Sequence, residues 1–472
     1  MKLLNDGLIK FDRQLPIFNW FYPLQFEHVT NIPAEQKLAM YGTLDSSKVR
    51  SRAFYFHIPF CETICSFCPF IRGTYHGNEI VERYTQALIR EIEWKARFPS
   101  LCEVPVEAIF FGGGTPSVLS AEQILRIGAA IHKHYDLRQI KEFSFEMEVK
   151  SVTREKVAAM REIGVTHARF GLQTFNSFYR DLFALTATLD QIYAAAELLC
   201  EFMPYTSFDI LYGMNGQTEE DFVKDLQQAV ALGTPTIDVY PIDNIATQIK
   251  LHRASEEAGL APQSALSRFS MNVLLNAYMR TMGFLPHNGH GYVRAPQEEL
   301  RKQPIVTDHY SFQYHEHVYG HDDRELIGFG VSAISSMNGC TITNLSSREK
   351  YMKQVLEDGI WDVTLSKHHP VADASRGVIL HLPYHGFVEK SKIRWDEVHP
   401  DTMSALGELT DAKLITETPD RYELTQVGWY WYVNVMYYLT PKREQRLLNK
   451  FIAERLQEPG RKVEVNQIAL LA

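Results

Sequence analysis

The amino-acid sequence predicts an α/β protein: a partial or complete (β/α) barrel, with an extension before it and a mostly helical unit after it. Three observations carry that expectation. Short apolar runs alternate with amphipathic stretches from about residue 52 to 243, helix-start signals fall between the runs, and chemically distinctive residues recur where the runs end.

The runs are AFYFHI (53–58), VEAIFF (106–111), EFSFEME (142–148), THARFGL (166–172), TSFDILYG (206–213) and TIDVYPI (236–242). Each is short and apolar, as strands buried on both faces of a parallel sheet must be. Between the first two lies EIVERYTQALIREIEWKARF, whose apolar positions recur at three- and four-residue steps and so form one face of a helix. A second helix is expected to start at Ser120, where Gln123 completes a capping box, and another at Thr218, followed by Glu and Asp in its first turn. Periodicity alone does not separate a barrel from an open doubly wound sheet. Three units are expected: an aromatic-rich extension over 1–50 (FNWFYPLQF) packing across an opening, a barrel over 51–345, and a helical, winged-helix-like unit over 346–472 with a short YELT strand.

The chain has 472 residues, 45% hydrophobic and 22% charged, with a formal charge of −9, and no long basic tract. That composition suits a soluble enzyme and opposes nucleic-acid or anionic-membrane binding, which need a clustered positive field. The first segment is broken by charges and the final NQIALLA is too short to span a bilayer, so a cytoplasmic location is expected.

Cys61, Cys65 and Cys68 lie within eight positions, spaced C-x3-C-x2-C on the loop after the first run. Cys102, Cys200 and Cys340 are scattered, which fits small buried side chains better than a disulfide framework. Structural zinc usually takes four protein ligands, whereas a [4Fe-4S] cube held by three thiolates leaves one iron open. An open iron chelates the amino and carboxylate groups of S-adenosylmethionine (SAM), and electron transfer from such a cluster yields a 5′-deoxyadenosyl radical. The competing readings are a zinc knuckle with His57 or another histidine as fourth ligand and a thioredoxin-like Cys65/Cys68 pair. The other residues that stand where apolar runs end are Gly112, Glu146, Gln173 and Asp209, and catalytic groups of parallel βα folds sit at that rim.

Together YFHIPFCETICSFC, FFGGGTPS, FSFEMEV, FGLQTFN, FDILYG and IGFGVSAIS resemble the oxygen-independent coproporphyrinogen III oxidase family of radical SAM enzymes, over about residues 17–440. The resemblance implies a radical SAM barrel holding one cluster and, as in some members, two SAM molecules. It puts Tyr55 beside the first SAM and Phe67 beside the cluster. Gly112, Gly113, Gly114 and Thr115 would let the backbone approach SAM, although one tight turn also explains the glycines. Glu146 and Asp209 would accept hydrogen bonds from ribose hydroxyls or an ammonium, or else serve as strand-end ion-pair partners. Gln173 would bridge both SAM molecules, Ile334 would touch the second, and Gln313 is a weaker candidate because a short insertion shifts the register.

Two departures separate this chain from the family's decarboxylases. Their further cysteine, two residues after the third ligand, is replaced by Phe70, behind Pro69; their arginine twelve residues beyond the glutamine is replaced by Leu185, with Arg180 nearby as a substitute. His287, His290, His309, His315, His317 and His321 form a patch suited to heme, metal or proton relay, or else surface-loop histidines, with His290 in a segment resembling an active-site loop. The expected reaction is methylation or methylene transfer (cyclopropanation) from a second SAM to an sp2 carbon of a small molecule. The alternatives are coproporphyrinogen III decarboxylation, anaerobic heme processing, or a heme chaperone. The expected partners are a natural product or tetrapyrrole as substrate and a flavodoxin or ferredoxin as reductant.

Overall fold

The computed structural model describes residues 2–3, 9–11, 15–18, 20–24, 28–43, 45–308, 312–337 and 339–463. His309 lies outside the described residues. The expected strands form as β1 (Ser51–Ile58), β2 (Val106–Gly113), β3 (Glu142–Met147), β4 (His167–Gln173), β5 (Tyr205–Tyr212) and β6 (Thr236–Pro241). They pair in sequence order, each parallel to the next. Along β1 the side chains alternate as a pleat requires: Phe54, Phe56 and Ile58 enter the main core, whereas Ala53 and Tyr55 join a smaller cluster with Ala108, Leu326 and Tyr314.

Helices α1 (Asn78–Lys95), α2 (Ala121–His134), α3 (Arg154–Glu162), α4 (Leu189–Phe202) and α5 (Glu219–Ala231) connect these strands. The expected capping box forms at Ser120 with Gln123, and the helix expected to start at Thr218 does so with a box of its own, closed by Asp221. Each fixes a helix start and so the length of the loop leaving the rim. After β6 come α6 (Ala265–Thr281), the hairpin β7 (Phe284–Pro286) and β8 (Gly291–Arg294), the short helix α7 (Gln313–Val318), and β9 (Arg324–Phe329).

The parallel set has a seventh strand that the six-run pattern omits. β9 pairs parallel with β1, on the side away from β2. Its first residues, Arg324 and Glu325, are charged and buried, which hides the run from a hydrophobicity pattern. Antiparallel strands extend both edges: β7 and β8 beyond β6, and β10 (Ile334–Met337), β11 (Cys340–Asn344) and β12 (Val363–Lys367) beyond β9. The order β7-β8-β6-β5-β4-β3-β2-β1-β9-β10-β11-β12 is a curved sheet that does not close. The architecture is the partial barrel of the radical SAM type.

The C-terminal unit holds more sheet than the single YELT strand. β13 (Phe387–Glu389), β14 (Ile415–Glu417) and β15 (Arg421–Leu424) form an antiparallel sheet in the order β13-β15-β14. It packs with α8 (Pro370–Arg376), a π-helical turn Gly377–His381, α9 (Leu382–His385), α10 (Pro400–Asp411), α11 (Tyr432–Leu439) and α12 (Lys442–Leu456). Phe11, Leu15, Ile17, Trp20 and Tyr22 of the N-terminal extension share this unit's core rather than the barrel's. Phe18 meets the ring of Tyr240 edge-on at 5.9 Å, so the extension reaches the end of β6. No helix of the described residues is long and apolar enough to cross a membrane.

Candidate active site

The cysteine loop leaves β1 and is held by hydrogen bonds from three directions. Gln248 Nε2 donates to the Cys65 carbonyl at 2.7 Å, Lys250 Nζ to the Ile64 carbonyl at 2.9 Å, and Arg72 Nη2 to the Cys68 carbonyl at 2.6 Å. Ser66 Oγ donates to the Leu182 carbonyl at 3.0 Å, and Phe67 packs on Phe183 with ring centroids 5.0 Å apart. Phe70 and Ile71, just beyond Cys68, are exposed.

All three cysteines are free thiols. Burial pushes each thiol up, Cys65 to about 11, while Arg72 counters the rise at all three. Thr115 Oγ1 donates to Cys61 Sγ at 3.4 Å. The three sulfurs do not converge as ligands of one ion do: among the described residues only Glu316, His381 and His385 bring three donor atoms within 4.8 Å of one another. Three separated thiols on one loop, with cations beside them, fit an anionic cluster that spreads its ligands over several irons.

His57 is not available as a fourth zinc ligand. Its Nε2 faces the Ile71 carbonyl at 2.9 Å, which can only accept, so Nε2 carries the proton and Nδ1 accepts from Tyr55 Oη at 3.0 Å. Burial lowers the imidazole to about 4, so it is neutral. Through His57, Tyr55 is tied to the cluster loop.

The glycine run closes the end of β2 against the same loop. A Cβ on Gly114 would lie 2.7 Å from the Phe60 carbonyl oxygen, and one on Gly113, whose φ is 110°, would lie 2.6 Å from the His57 ring. Glycine here is required by the protein's own packing, whatever a ligand asks of it.

Glu146, Asp209, Arg169 and Asp238 form a buried charge group inside the sheet's curve. Arg169 Nη2 lies 2.8 Å from Asp238 Oδ2 and 4.0 Å from Asp209 Oδ1, and Ser207 Oγ donates to Asp238 at 2.5 Å. Burial raises Glu146 to about 7, with Arg169 opposing, and raises Asp209 against the same guanidinium. Asp209 keeps 32% of its side-chain surface, and Tyr55, Glu146 and Tyr240 are likewise only half-buried, so the strands' inner face lines an open lumen. Arg169 Nη1 and Asp209 Oδ1 have no hydrogen-bond partner among the described residues. Buried polar atoms without partners on a lumen wall suit a polar ligand such as SAM. Asp209 and Glu146 are thus brought together, as their strand-end positions lead one to expect. Arg169 and Asp238, which complete the group, stand mid-run in the sequence and carry no motif.

Gln173 is buried in the left-handed region, at φ 74°, where β4 shifts register against β5. A long side chain there signals a conformation imposed by its surroundings. The restraint comes from Asp225, whose carboxylate accepts from Thr174 Oγ1 at 2.7 Å and the Phe175 amide at 2.8 Å. Arg180 does not replace the arginine missing at Leu185. Its guanidinium donates to the carbonyls of Leu172, Thr174 and Ala187, which pins the turn beyond Gln173 and leaves it no free edge for a carboxylate. Ile334 opens β10 beside Gly328, and Gln313 starts α7, so those two share no element with Gln173.

Helix α7 packs against the inner faces of β1, β2 and β9 and fills the lumen near the strands' amino ends. Its Tyr314 stacks on Phe110 and Tyr55, with centroids 4.5 and 6.1 Å away. Beside it His315 and His290 meet edge-on at 5.2 Å, His290 stacks on Tyr240 at 4.1 Å, and Tyr384 Oη lies 3.0 Å from His290 Nδ1. His287, His290, His317 and His321 are buried and His315 half-buried, so the surface-loop reading fails for all five. Burial holds His287, His290 and His315 well below the usual imidazole range, hence neutral. His317 is bonded to Ser51 Oγ at 3.0 Å and to the Gln313 carbonyl at 2.7 Å, a structural role.

A radical SAM superfamily family model matches residues 55–229. Among characterised proteins, a heme chaperone of Lactococcus lactis is 26% identical over 384 residues, covering 79% of this chain and 93% of its own. An anaerobilin synthase of Escherichia coli O157:H7 is 26% identical over 391 residues, covering 82% and 83%. The oxygen-independent coproporphyrinogen III oxidase of E. coli K12 is 26% identical over 320 residues, 66% of each chain. A solved structure of coproporphyrinogen III oxidase from E. coli superposes with a TM-score of 0.74 at 22% identity, covering 89% of this chain and 96% of that one, which shows a shared fold. The chain is therefore a radical SAM enzyme. Within that superfamily it is similar, over most of its length, to the heme chaperone, the anaerobilin synthase and the oxygen-independent coproporphyrinogen III oxidase.

Proposed function

We propose that this enzyme acts on a tetrapyrrole, and that anaerobic processing of a heme-type macrocycle is its reaction. One observation carries the reading: three neutral imidazoles, His287, His290 and His315, gather with Tyr240, Tyr314 and Tyr384 in the lumen one ring-stack away from Tyr55. Neutral imidazole is the usual protein ligand of heme iron, and flat aromatic walls suit a planar macrocycle. The relatives named above are a heme chaperone, an anaerobilin synthase and a coproporphyrinogen oxidase, whose names share tetrapyrrole chemistry. Phe70, where the decarboxylases have a thiol, disfavours propionate decarboxylation.

In this reading Cys61, Cys65 and Cys68 would hold a [4Fe-4S] cluster, which would supply the electron for reductive cleavage of SAM to a 5′-deoxyadenosyl radical. The chain's own part is binding and exclusion. Glu146 and Asp209 orient SAM by accepting hydrogen bonds, and Arg169 Nη1 meets an anionic group. Tyr384 Oη and His290 form a hydrogen-bonded pair able to pass a proton to a reduced macrocycle, and the N-terminal extension covers the opening beside β6. Gln173, with Ile334 across the rim, supports a second SAM site. The reductant proposed is a flavodoxin or ferredoxin.

Methylation or methylene transfer, expected from the missing cysteine, has no counterpart among the named relatives. Methyl-deuterated SAM separates the readings. Anaerobic, cluster-loaded enzyme with reductant should bind one heme, shift its Soret band on binding, and release unlabelled 5′-deoxyadenosine only when heme is present. Absence of any heme binding would overturn the tetrapyrrole reading, and deuterium in 5′-deoxyadenosine together with S-adenosylhomocysteine would make methylene transfer the reaction instead.

A further inference from the structure

Where α7 meets the C-terminal unit, a second set of metal-ligating side chains converges, outside both the cluster loop and the lumen pocket. Glu316 of α7 has Oε2 3.2 Å from His381 Nε2 and Oε1 3.5 Å from His385 Nδ1. The donor atoms of all three lie within 4.8 Å of one another. His381 ends the π-helical turn and His385 ends α9, an H-x3-H spacing that puts both rings on one helical face, stacked at 4.4 Å and 27°. The site is sheltered: the side chains of Glu316, His381 and His385 are 14%, 6% and 5% exposed.

The hydrogen bonds around His381 leave a conflict that a cation resolves. Its Nδ1 lies 2.9 Å from the Phe387 carbonyl, which only accepts, so Nδ1 carries the proton. A ring with its proton on Nδ1 alone points its Nε2 lone pair at a carboxylate oxygen. Two acceptors at that distance need something positive between them, either a second proton or a metal ion. A backbone carbonyl on the far nitrogen is also the arrangement that fixes a histidine ligand's tautomer in metal sites. His385 Nε2 has no hydrogen-bond partner among the described residues. His321 packs behind His381 with ring centroids 4.6 Å apart, and its Nδ1 likewise has no partner among them. Among the described residues Arg324 also reaches the carboxylate, with Nη1 3.3 Å from Oε2, on the side away from His385 and Oε1.

We propose that Glu316, His381 and His385 bind a divalent first-row transition metal, with zinc as the ion tested, and that this metal clamps the C-terminal unit to helix α7. Two imidazoles on one helix face and a carboxylate from another segment are a donor set such ions take, with water completing the coordination. The clamp joins the two elements that supply the pocket with Tyr314 and His315 on one side and Tyr384 on the other.

The test uses the full-length chain with Cys61, Cys65 and Cys68 changed to Ser, so that the cluster loop cannot scavenge the probe. After equilibration with zinc and desalting, this protein should retain one zinc per chain, and adding His381→Ala or His385→Gln should reduce it at least tenfold. Chelator should lower the melting temperature of the parent but not of the histidine variants. Zinc absent from the parent, or retained by the His381→Ala/His385→Gln double variant, would overturn the proposal. Should the serine variant fail to fold, X-ray absorption of zinc added to cluster-loaded wild-type enzyme decides instead: a shell of nitrogen and oxygen alone is expected, and a sulfur shell or no bound zinc refutes the site. Neither readout depends on the identity of the substrate, so failure here leaves the tetrapyrrole reading standing.

Discussion

The two ends of the lumen are built in opposite ways. At the cluster end the ligands are local: Cys61, Cys65 and Cys68 share one loop, which a glycine turn fits against and Arg72, Gln248 and Lys250 staple in place. At the α7 end the pocket is gathered from β4, β6, the β7–β8 hairpin, α7 and α9, so each segment contributes one or two rings. The difference teaches where each kind of chemistry can vary. Cluster chemistry needs a fixed spacing on one loop, whereas a pocket assembled from many segments changes substrate by single substitutions that leave the radical machinery intact.

The largest effect expected is at the cluster end. Cys65→Ala should bring 5′-deoxyadenosine release to the uncatalysed background while leaving heme titration of the apoprotein unchanged. Undiminished release from that variant would sink the assignment of the cluster, and lost heme binding would show that the two ends are not separable. The next effect tests the boundary between them. Arg169→Leu strands the buried Asp238 carboxylate, which accepts only from Ser207 otherwise, and should cost about 3–5 kcal/mol in denaturant unfolding, the range for breaking one side of a buried pair. A loss under 1 kcal/mol would mean that Asp238 is protonated or solvated in the native state.

That contrast also explains what could be read from the sequence. The six strands from 51 to 241, the Ser120 capping box, the helix start at Thr218 and the cysteine loop were legible because each is a local pattern of period, cap or spacing. β9 was not, since Arg324 and Glu325 enter the core paired, Glu325 with Arg52 of the neighbouring strand at 2.7 Å and Arg324 with Glu316 of α7, and such pairing is invisible in a single run. Arg169 and Asp238 sit inside apolar runs and gain meaning only when β4 and β6 are brought together by β5. The histidine patch was legible as composition, but its burial was not. His381 and His385 in HLPYH carried a readable H-x3-H signal, yet their partner Glu316 is 65 positions away from His381.

A smaller effect sharpens the claim that the cluster end is a packed local assembly. Gly114→Ala would press a methyl group against the Phe60 backbone, which cannot swing aside as a side chain can. It should cost about 3 kcal/mol and lower the iron content after reconstitution. Normal iron loading with a destabilised fold would separate the turn's packing role from any role in holding the cluster.

The smallest effect is a pH dependence at the seam between the two ends, where Asp225 restrains the turn after Gln173. Burial raises this carboxyl to about 6 from its ordinary 3.8, despite the hydrogen bonds from Thr174 and Phe175, and its side chain is nearly inaccessible. A group whose folded pKa is raised contributes stability that is fully present below the unfolded value and is lost as pH rises through the folded one. Asp225→Asn cannot ionise, so its stability relative to wild type should improve between pH 3.8 and about 6, by an amount on the order of 2 kcal/mol, and then level off. Other raised carboxyls, Glu146 and Asp243 among them, titrate in both proteins and cancel in the difference. A difference curve that is flat across this window would mean that Asp225 is ionised throughout. In that case the left-handed backbone at Gln173 is held by a charged clamp, and the seam belongs with the rigid cluster end rather than with the adaptable pocket.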